Sequence, residues 1–91
     1  MTQQIQHETQ RHRFTTTVDG HLCVLDYDLV GSVMTITHTG VPAAVGGKGI
    51  AAALTRTALD TARQNHWRVV PRCSYAAVYI ERHPEYAQLT Q

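Results

Sequence analysis

The segment from residue 40 to residue 49 is the feature of this sequence that most restricts its fold. It contains four glycines and one proline within ten residues. The interior of a strand or a helix does not tolerate this composition, because glycine is too flexible and proline lacks an amide hydrogen. The segment is therefore a loop. Residues before it alternate as in β-strands and residues after it show helical spacing, so it joins a β-rich half to a half that contains helices.

Three β-strands are predicted before the loop. The first covers residues 13 to 18, which are rich in β-branched side chains, and Asp19-Gly20 supplies a hairpin turn. The return strand covers residues 21 to 29, and Gly31-Ser32 turns the chain again. The third strand covers residues 33 to 39. Strands joined by such short turns pair with their neighbours, so we expect an antiparallel β-meander.

Two helices and one more strand are predicted after the loop. From residue 50 to about residue 65 the apolar side chains occupy one half of the helical wheel, which indicates an amphipathic helix packed on the sheet. Residues 67 to 72 contain a short apolar run that indicates a fourth strand, and Pro71 favours a position at an edge or beside a gap in the ladder. A second helix, residues 74 to 82, can be capped by Ser74. The order β-β-β-α-β-α predicts an α+β fold, an antiparallel meander followed by α-β-α.

Length and charge exclude several classes of protein. A chain of 91 residues, 43% of them apolar, has room for one domain with a core, spanning 1–91. Eight basic and seven acidic residues leave a net charge of +1 and no field that attracts nucleic acid or an anionic membrane. The N-terminus has no secretion-signal pattern and no apolar run could span a bilayer, so we expect a cytoplasmic protein. The two cysteines should then be free thiols.

The glycines directly before the predicted helix favour an anion site. At a helix N-terminus the first amide groups are free to donate and the helix dipole is positive. Glycines at residues 46, 47 and 49 would let a phosphate approach the backbone, and Lys48 adds a mobile cation. The spacing is neither that of a P-loop nor that of a G-x-G-x-x-G dinucleotide motif. From composition alone, a flexible turn that relieves strain between strand and helix is an equally good interpretation.

The stretch Gly46-Gly47-Lys48-Gly49-Ile50-Ala51 resembles the pyrophosphate loop of the GCN5-related N-acetyltransferases, whose pattern is Q/R-x-x-G-x-G/A. Gly49 and Ala51 match its last two fixed positions, and Gly46 stands where the family has Gln or Arg. The resemblance runs from about Phe14 to the C-terminus and is to a small, single-domain branch that lacks the usual substrate-covering helices. Its other motifs are His38-Thr39-x-Val41-Pro42, Val70-Pro71-x-Cys73-Ser74-Tyr75 and Tyr79-Ile80-x-x-His83-Pro84-Glu85-Tyr86.

This resemblance implies a truncated acyl-CoA N-acyltransferase fold, with acetyl-CoA or coenzyme A as the cofactor. It implies that the strands splay near residues 39 to 41 and 69 to 73. The pantetheine arm of the coenzyme would enter the gap and pair with backbone groups as an added strand would. The pyrophosphate would lie on the amides of residues 47 to 51. The cofactor-binding residues implied in this way are Thr39, Val41, Gly46, Gly47, Lys48, Gly49, Ile50 and Ala51.

Cys73 is the best candidate nucleophile in the sequence. It follows a predicted strand and precedes the N-terminus of a predicted helix, a setting in which the pKa of a thiol falls. The alternative is a small buried side chain, the common state of a free cysteine. The polar neighbours Arg72 and Ser74 argue against deep burial. Cys23, in the middle of a strand, is expected to pack in the core.

His38 and Tyr79 are the candidate groups for proton transfer. Strand alternation puts His38 on the face of Met34 and Ile36, which indicates a core or edge histidine. Its position before the loop nevertheless makes it the leading general base. Tyr79 and Tyr75 lie one helical turn apart, as core aromatics do, while the family resemblance implies that a tyrosine here can protonate the departing coenzyme thiolate. The other histidines share no metal-ligand spacing with a cysteine, so no metal site is expected.

These observations indicate an acetyl-CoA-binding N-acetyltransferase-like protein that transfers an acetyl group to an amine. Cys73 would take the acetyl group transiently or assist direct transfer. The alternative is a non-catalytic module that binds coenzyme A or a protein, because 91 residues leave little chain beyond the cofactor scaffold. The expected partners are a CoA thioester and an unidentified amine acceptor, with no nucleic acid and no membrane. The expected oligomeric state is a monomer or a weak homodimer.

Overall fold

Five strands form one mixed sheet in the computed structural model, which describes residues 4 to 91. Neighbours in sequence are neighbours in space, so the strands lie in the order in which the chain makes them. Strands one to four are antiparallel and the last pair is parallel. The strands are β1 (Gln6–Glu8), β2 (Arg13–Val18), β3 (His21–Val30), β4 (Val33–Gly40) and β5 (Arg68–Pro71).

Two α-helices and a C-terminal 3-10 helix cover one face of this sheet. They are α1 (Ile50–Gln64), α2 (Ser74–Arg82) and the 3-10 segment Pro84–Thr90. Asn65 ends α1 as predicted, because both its amide and its Nδ2 donate to the carbonyl oxygen of Thr61, at 3.1 and 2.8 Å. The predicted meander, the two helices and the edge strand that ends at a proline are confirmed.

Strand β1 is the element that the sequence pattern does not reveal. It has three residues and pairs with β2 through partners such as His7 and Phe14. The His7 ring stacks on Phe14 with ring centroids 4.1 Å apart, and its Nε2 is hydrogen-bonded to the hydroxyl of Tyr27. The strand is thus stabilised by aromatic contacts with distant residues rather than by its own periodicity.

A β-bulge in β4 changes which side chains face the core. Tyr27 of β3 pairs with Ile36, but Asp26 pairs with His38, so one extra residue of β4 is accommodated at this point. The alternation therefore reverses, and His38 is exposed on the outer face instead of sharing the buried face of Met34 and Ile36. The prediction that these three residues share a face is wrong, because simple alternation cannot anticipate a bulge.

The parallel pair β4 and β5 separates before β4 ends. The last paired residues are Ile36 and Pro71, while β4 continues to Gly40. The carbonyl oxygen of Ile36 accepts hydrogen bonds from the amides of both Arg72 and Cys73, each at 3.0 Å. Beyond this shared acceptor the backbones diverge, which leaves a gap at the end of the sheet nearest the glycine loop.

The hydrophobic core lies between the sheet and the helices. It consists of apolar side chains from the strands and the helices, each at most 8% exposed. Burial of this kind stabilises the fold by about 25 cal/mol per Å² of apolar surface. The largest core side chains are Phe14, Leu25, Met34, Ile36, Ile50, Leu54 and Leu59.

No helix within residues 4–91 is long and apolar enough to span a bilayer.

Candidate functional site

The glycine loop adopts a conformation that only glycine takes without strain. Gly47 has φ +78° and Gly49 has φ +77°, both in the left-handed region. A Cβ atom at either residue would meet no heavy atom within 4 Å, so backbone conformation and open space, rather than packing, explain the glycines. Gly49 is the N-cap of α1, and as a glycine it has no side chain with which to cap the helix.

The amide groups at the start of α1 are free to donate to a ligand. Within residues 4–91, the first helical amide that finds a backbone acceptor is that of Ala53, which donates to the oxygen of Gly49 at 3.0 Å. The amides of residues 47 to 52 have no such partner and converge at the positive end of a helix of 15 residues. This arrangement fits a phosphate or pyrophosphate group.

Lys48 lies beside the loop and pairs with the hairpin turn. Its Nζ lies 3.0 Å from Oδ2 of Asp19, in the turn between β2 and β3. Both side chains are more than half exposed, so this pair adds little stability. Such a pair restrains Lys48 only weakly, and its role as a cation for a ligand at the loop stays a prediction.

A cleft of about 510 Å³ runs between α1 and α2 from this loop. One wall is the face of α1 formed by Gly49, Ala52, Ala53 and Arg56. Three of these residues are glycine or alanine, whose small side chains leave the cleft open. Arg56 is not among the site residues that the sequence predicts. The spacing of residues 49, 52, 53 and 56, which puts them on one helical face, is the signal that could have included it. The other wall, on α2 and just after it, consists of Tyr75, Val78, Tyr79, Arg82 and His83.

A smaller hollow of about 260 Å³ continues the cleft toward the end of β4. It is shared between the loop and α2, since Tyr75, Gly49 and Ala52 line both spaces. The structure thus brings most of the predicted cofactor residues together along one path. Those that line the smaller hollow are Val41, Gly46, Gly47, Gly49, Ile50 and Ala51.

Cys73 lies at the N-terminus of α2 and beside the gap. It is the N-cap residue, so the prediction that Ser74 caps this helix is wrong; Ser74 is the first helical residue. The Sγ atom of Cys73 lies 3.5 Å from Oγ1 of Thr39. Partial burial would raise the pKa of the Cys73 thiol, but hydrogen bonds from the Thr39 hydroxyl and from the amides of residues 76, 75 and 39 outweigh it, and the pKa is lowered.

Cys23 has the opposite environment. It is fully buried in the core, and this burial raises the pKa of its thiol. The prediction that Cys23 is a packing residue is confirmed. The chain therefore contains one thiol suited to nucleophilic chemistry and one that is protected from it.

Tyr79 lines the large cleft but does not lie next to Cys73. The two residues are six positions apart on one helix, which is a rise of about 9 Å. The Tyr79 ring stacks on His83 with centroids 3.9 Å apart and is only 8% exposed. Burial raises the pKa of its phenol despite the opposing charge of Arg56, so the hydroxyl stays protonated at neutral pH and able to donate.

His38 is separated from both of these groups by the sheet. Thr39 pairs with the buried Leu25 and faces Cys73, whereas His38 pairs with Asp26 on the outer face. Of the side chains that the sequence singles out, Thr39 and Cys73 are thus in contact. Tyr79 lies farther along the cleft, and His38 lies on the other face of β4. Within residues 4–91 no three His, Cys, Asp or Glu side chains group as metal ligands would.

The family model described as GCN5-related N-acetyl-transferase matches residues 13–89 of this chain. Protein NATD1 of Gallus gallus is 33% identical over 84 residues, which cover 89% of this chain and 76% of that protein. Protein NATD1 of Homo sapiens is 32% identical over 83 residues, or 88% of this chain and 74% of that protein.

A solved structure agrees with the sequence comparison. The solution structure of a GCN5-like protein from Staphylococcus aureus superposes with a TM-score of 0.74 at 26% identity, over 94% of this chain and 85% of that chain. The predicted fold and the resemblance of the chain to the GCN5-related N-acetyltransferases are thereby confirmed. The chain belongs to the GCN5-related N-acetyltransferase family.

Proposed function

We propose that this protein binds acetyl-CoA and transfers the acetyl group to an amine. The observation that supports this most directly is the position of the free amides of the loop beside a hollow that Val41 and Tyr75 also line, each two residues along the chain from the contacting pair Thr39 and Cys73. The loop suits a pyrophosphate, and the Cys73 thiol has a lowered pKa. An acetylated coenzyme likewise carries its pyrophosphate and its thioester at the two ends of the pantetheine arm.

The residues of the glycine loop and of the end of β4 fit the cofactor that the family uses. The amides from Gly47 to Ala51 would hold the pyrophosphate, with Arg56 and Lys48 as nearby cations. The backbone of Thr39 to Val41, which β5 leaves unpaired, offers donors and acceptors to the amide groups of the pantetheine arm. When bound, the coenzyme supplies an acetyl thioester that is activated toward nucleophiles.

Cys73 is the proposed nucleophile. Its thiolate forms a bond to the acetyl carbon as the bond from that carbon to the coenzyme sulfur breaks, and the phenol of Tyr79 donates a proton to that sulfur directly or through water. The acceptor amine then takes the acetyl group from Cys73, and its proton passes to His38. In the direct form of the reaction the amine attacks the thioester itself and Cys73 assists by hydrogen bonding.

A second candidate function is a module that binds the coenzyme without efficient turnover. The observation in its favour is the distance between groups: His38 lies on the outer face of β4, while Cys73 and Tyr79 lie on the inner side and about 9 Å apart along α2. Within residues 4–91 few residues lie outside the sheet and its helices, so an acceptor site built from them would have to be shallow or shared between subunits.

Mass measurement of the intact protein after incubation with acetyl-CoA separates these functions. An enzyme that uses Cys73 gains one acetyl group, Cys73→Ser gains none, and an amine panel accelerates release of free coenzyme thiol. Near-normal transfer by Cys73→Ser would reject the thiolate mechanism and favour direct transfer. Tight coenzyme binding with no acetyl adduct and no response to any amine would support the binding module. A protein without affinity for coenzyme A would contradict both functions.

A further inference from the structure

Thr39 and His38, near the end of β4, lie on opposite faces of the sheet, and the His38 ring lies over Gly40. Thr39 faces Cys73, and His38 is exposed on the outer face. A Cβ atom at residue 40 would lie 2.9 Å from Nε2 of His38 and 3.4 Å from Cγ2 of Val24. The imidazole therefore occupies the space that any side chain at residue 40 would need.

The backbone does not explain why residue 40 is glycine. Gly40 is absent from the glycines with positive φ, so its backbone conformation is open to alanine. It also pairs regularly with Val24 across the β3–β4 ladder. The contact that an added side chain would disturb most is that of the His38 ring, which would have to move aside.

His38 lies beyond the point where β4 and β5 separate. His38 lies two residues after the last β4–β5 pair, and its Nε2 reaches forward along the strand to Gly40, where β5 has already separated. Asp26, the cross-strand partner of His38, is held by Arg13 through a bond of 2.6 Å. The charged groups beside the ring on β3 and β2 are thus paired with each other.

We propose that Gly40 is a positioning residue for acetyl transfer: its missing side chain lets the His38 imidazole lie along β4 with Nε2 at the outer mouth of the gap, where the acceptor amine loses its proton. This inference rests on the proposed function and names the face from which the amine arrives. The coenzyme arm enters from the helix side of the sheet. The amine reaches the acetyl carbon from the outer face, and its N–H proton passes to Nε2 as the new C–N bond forms.

Gly40→Ala tests this because only the movable His38 ring stands in the way of the added methyl group. We expect the variant to fold with a melting temperature close to that of the wild type and to bind coenzyme A equally well. Acceptor-dependent transfer should fall at least about tenfold, a part of the 10²- to 10⁴-fold contribution of a general base.

The double variant and an NMR measurement complete the test. If Gly40 acts through His38, the variant carrying both changes is no slower than His38→Gln alone. In the wild type, nuclear Overhauser contacts should join the His38 ring to Gly40 and to a Val24 methyl group, and Gly40→Ala should remove them. Thr35→Ala, a change on the same face of β4, should alter neither measurement.

Each outcome decides a different point. Absence of the His38 to Gly40 contacts in the wild type overturns the inference, whatever the activity. Wild-type transfer that Gly40→Ala leaves unchanged overturns the role of Gly40 but not the proposed function. A wild type that binds coenzyme A yet shows no acceptor-dependent transfer overturns the transferase function and, with it, the role of His38.

Discussion

The hydroxyl oxygen of Thr39 lies 3.5 Å from Sγ of Cys73, and this contact bridges the gap between the end of β4 and the start of α2. The two residues are 34 positions apart in sequence. They meet because the α1 crossover returns the chain to the neighbouring parallel strand. Any group that enters the gap from the helix side reaches both side chains, so the pair sets the polarity and the reactivity of the gap.

The first prediction concerns the reactivity of the Cys73 thiol. At pH 7 a small alkylating agent should modify Cys73 before Cys23, because the pKa of Cys73 is lowered by its hydrogen bonds while burial raises that of Cys23. Thr39→Val removes one of these bonds and should slow alkylation about fivefold, as expected for a hydrogen bond worth about 1 kcal/mol. Mass spectrometry of the digested protein measures the rate at each cysteine.

Thr35→Val is the matched control for this experiment, since Thr35 lies on the outer face of the same strand and is paired with Asp28. It should leave the alkylation rate unchanged. Saturating coenzyme A should protect Cys73 in the wild type. If Cys73 reacts only after the protein is unfolded, the thiol is a packing group and has no role in transfer.

The second prediction concerns the loop and its backbone donors. Gly49→Val should weaken coenzyme A binding about tenfold or more, because a β-branched residue cannot hold φ +77° without strain and the first amides of α1 lose their alignment. Lys48→Ala should weaken binding only a few-fold, since that cation is exposed and paired with Asp19. Calorimetric titration measures both affinities.

Gly31→Val provides the control for strain alone. Gly31 also has a positive φ, +60°, with no atom near a Cβ, and lies in the turn between β3 and β4. This variant should lose stability to a similar degree while its folded fraction binds coenzyme A normally. A larger loss of affinity for Lys48→Ala than for Gly49→Val would show that the site depends on a point charge instead of backbone amides.

The third prediction concerns the charge of the large cleft. Arg56→Gln should weaken coenzyme A binding about fivefold to tenfold, as expected for one charge-assisted contact to a phosphate, and should lessen the dependence of affinity on salt. Arg68→Gln is the control, because Arg68 is an exposed cation on β5 that lines a different hollow. Equal effects of the two changes would indicate a general effect of net charge and would remove Arg56 from the site.

The sequence predicts most of the fold because its local signals agree with one another. Turn residues such as Asp19-Gly20 and Gly31-Ser32 separate strands of clear alternation, and the apolar face of α1 matches the buried residues Leu54 and Leu59. Strand β1 is not predicted, because three residues are too few to show an alternation of apolar and polar side chains. Its place depends on the contact of His7 with Phe14, which no local pattern encodes.

The site is less predictable because it depends on relationships between distant segments. The glycine loop at the start of α1 could be predicted from Gly46 to Gly49, since a helix N-terminus and its glycines are local features. The bulge that turns His38 outward, the partner of Cys73 and the position of Arg56 in the cleft depend on how strands and helices pack. The proposal of a coenzyme comes from the family resemblance, because the residues alone indicate only an anion.

The last prediction concerns the attachment of the C-terminal 3-10 segment to α1. The hydroxyl of Tyr86 donates to Oδ1 of Asp60 at 2.7 Å, and the guanidinium of Arg63 lies 4.7 Å from the centre of the Tyr86 ring. Burial, followed by the hydrogen bond to Asp60, raises the pKa of Tyr86 to about 12. Tyr86→Phe should lower the free energy of unfolding at pH 7 by about 1 to 2 kcal/mol, because it removes a hydrogen bond to a charged acceptor.

The raised pKa gives this pair a defined dependence on pH. The folded state favours the protonated phenol, so the stabilisation is complete below the ordinary pKa near 10 and is lost as the pH rises through about 12. Urea unfolding at pH 7, 10 and 11 should show wild-type stability falling toward that of Tyr86→Phe, whose own decline over this range is smaller. Parallel declines of the two proteins would show that the Tyr86 phenol does not titrate in the way its contact with Asp60 requires.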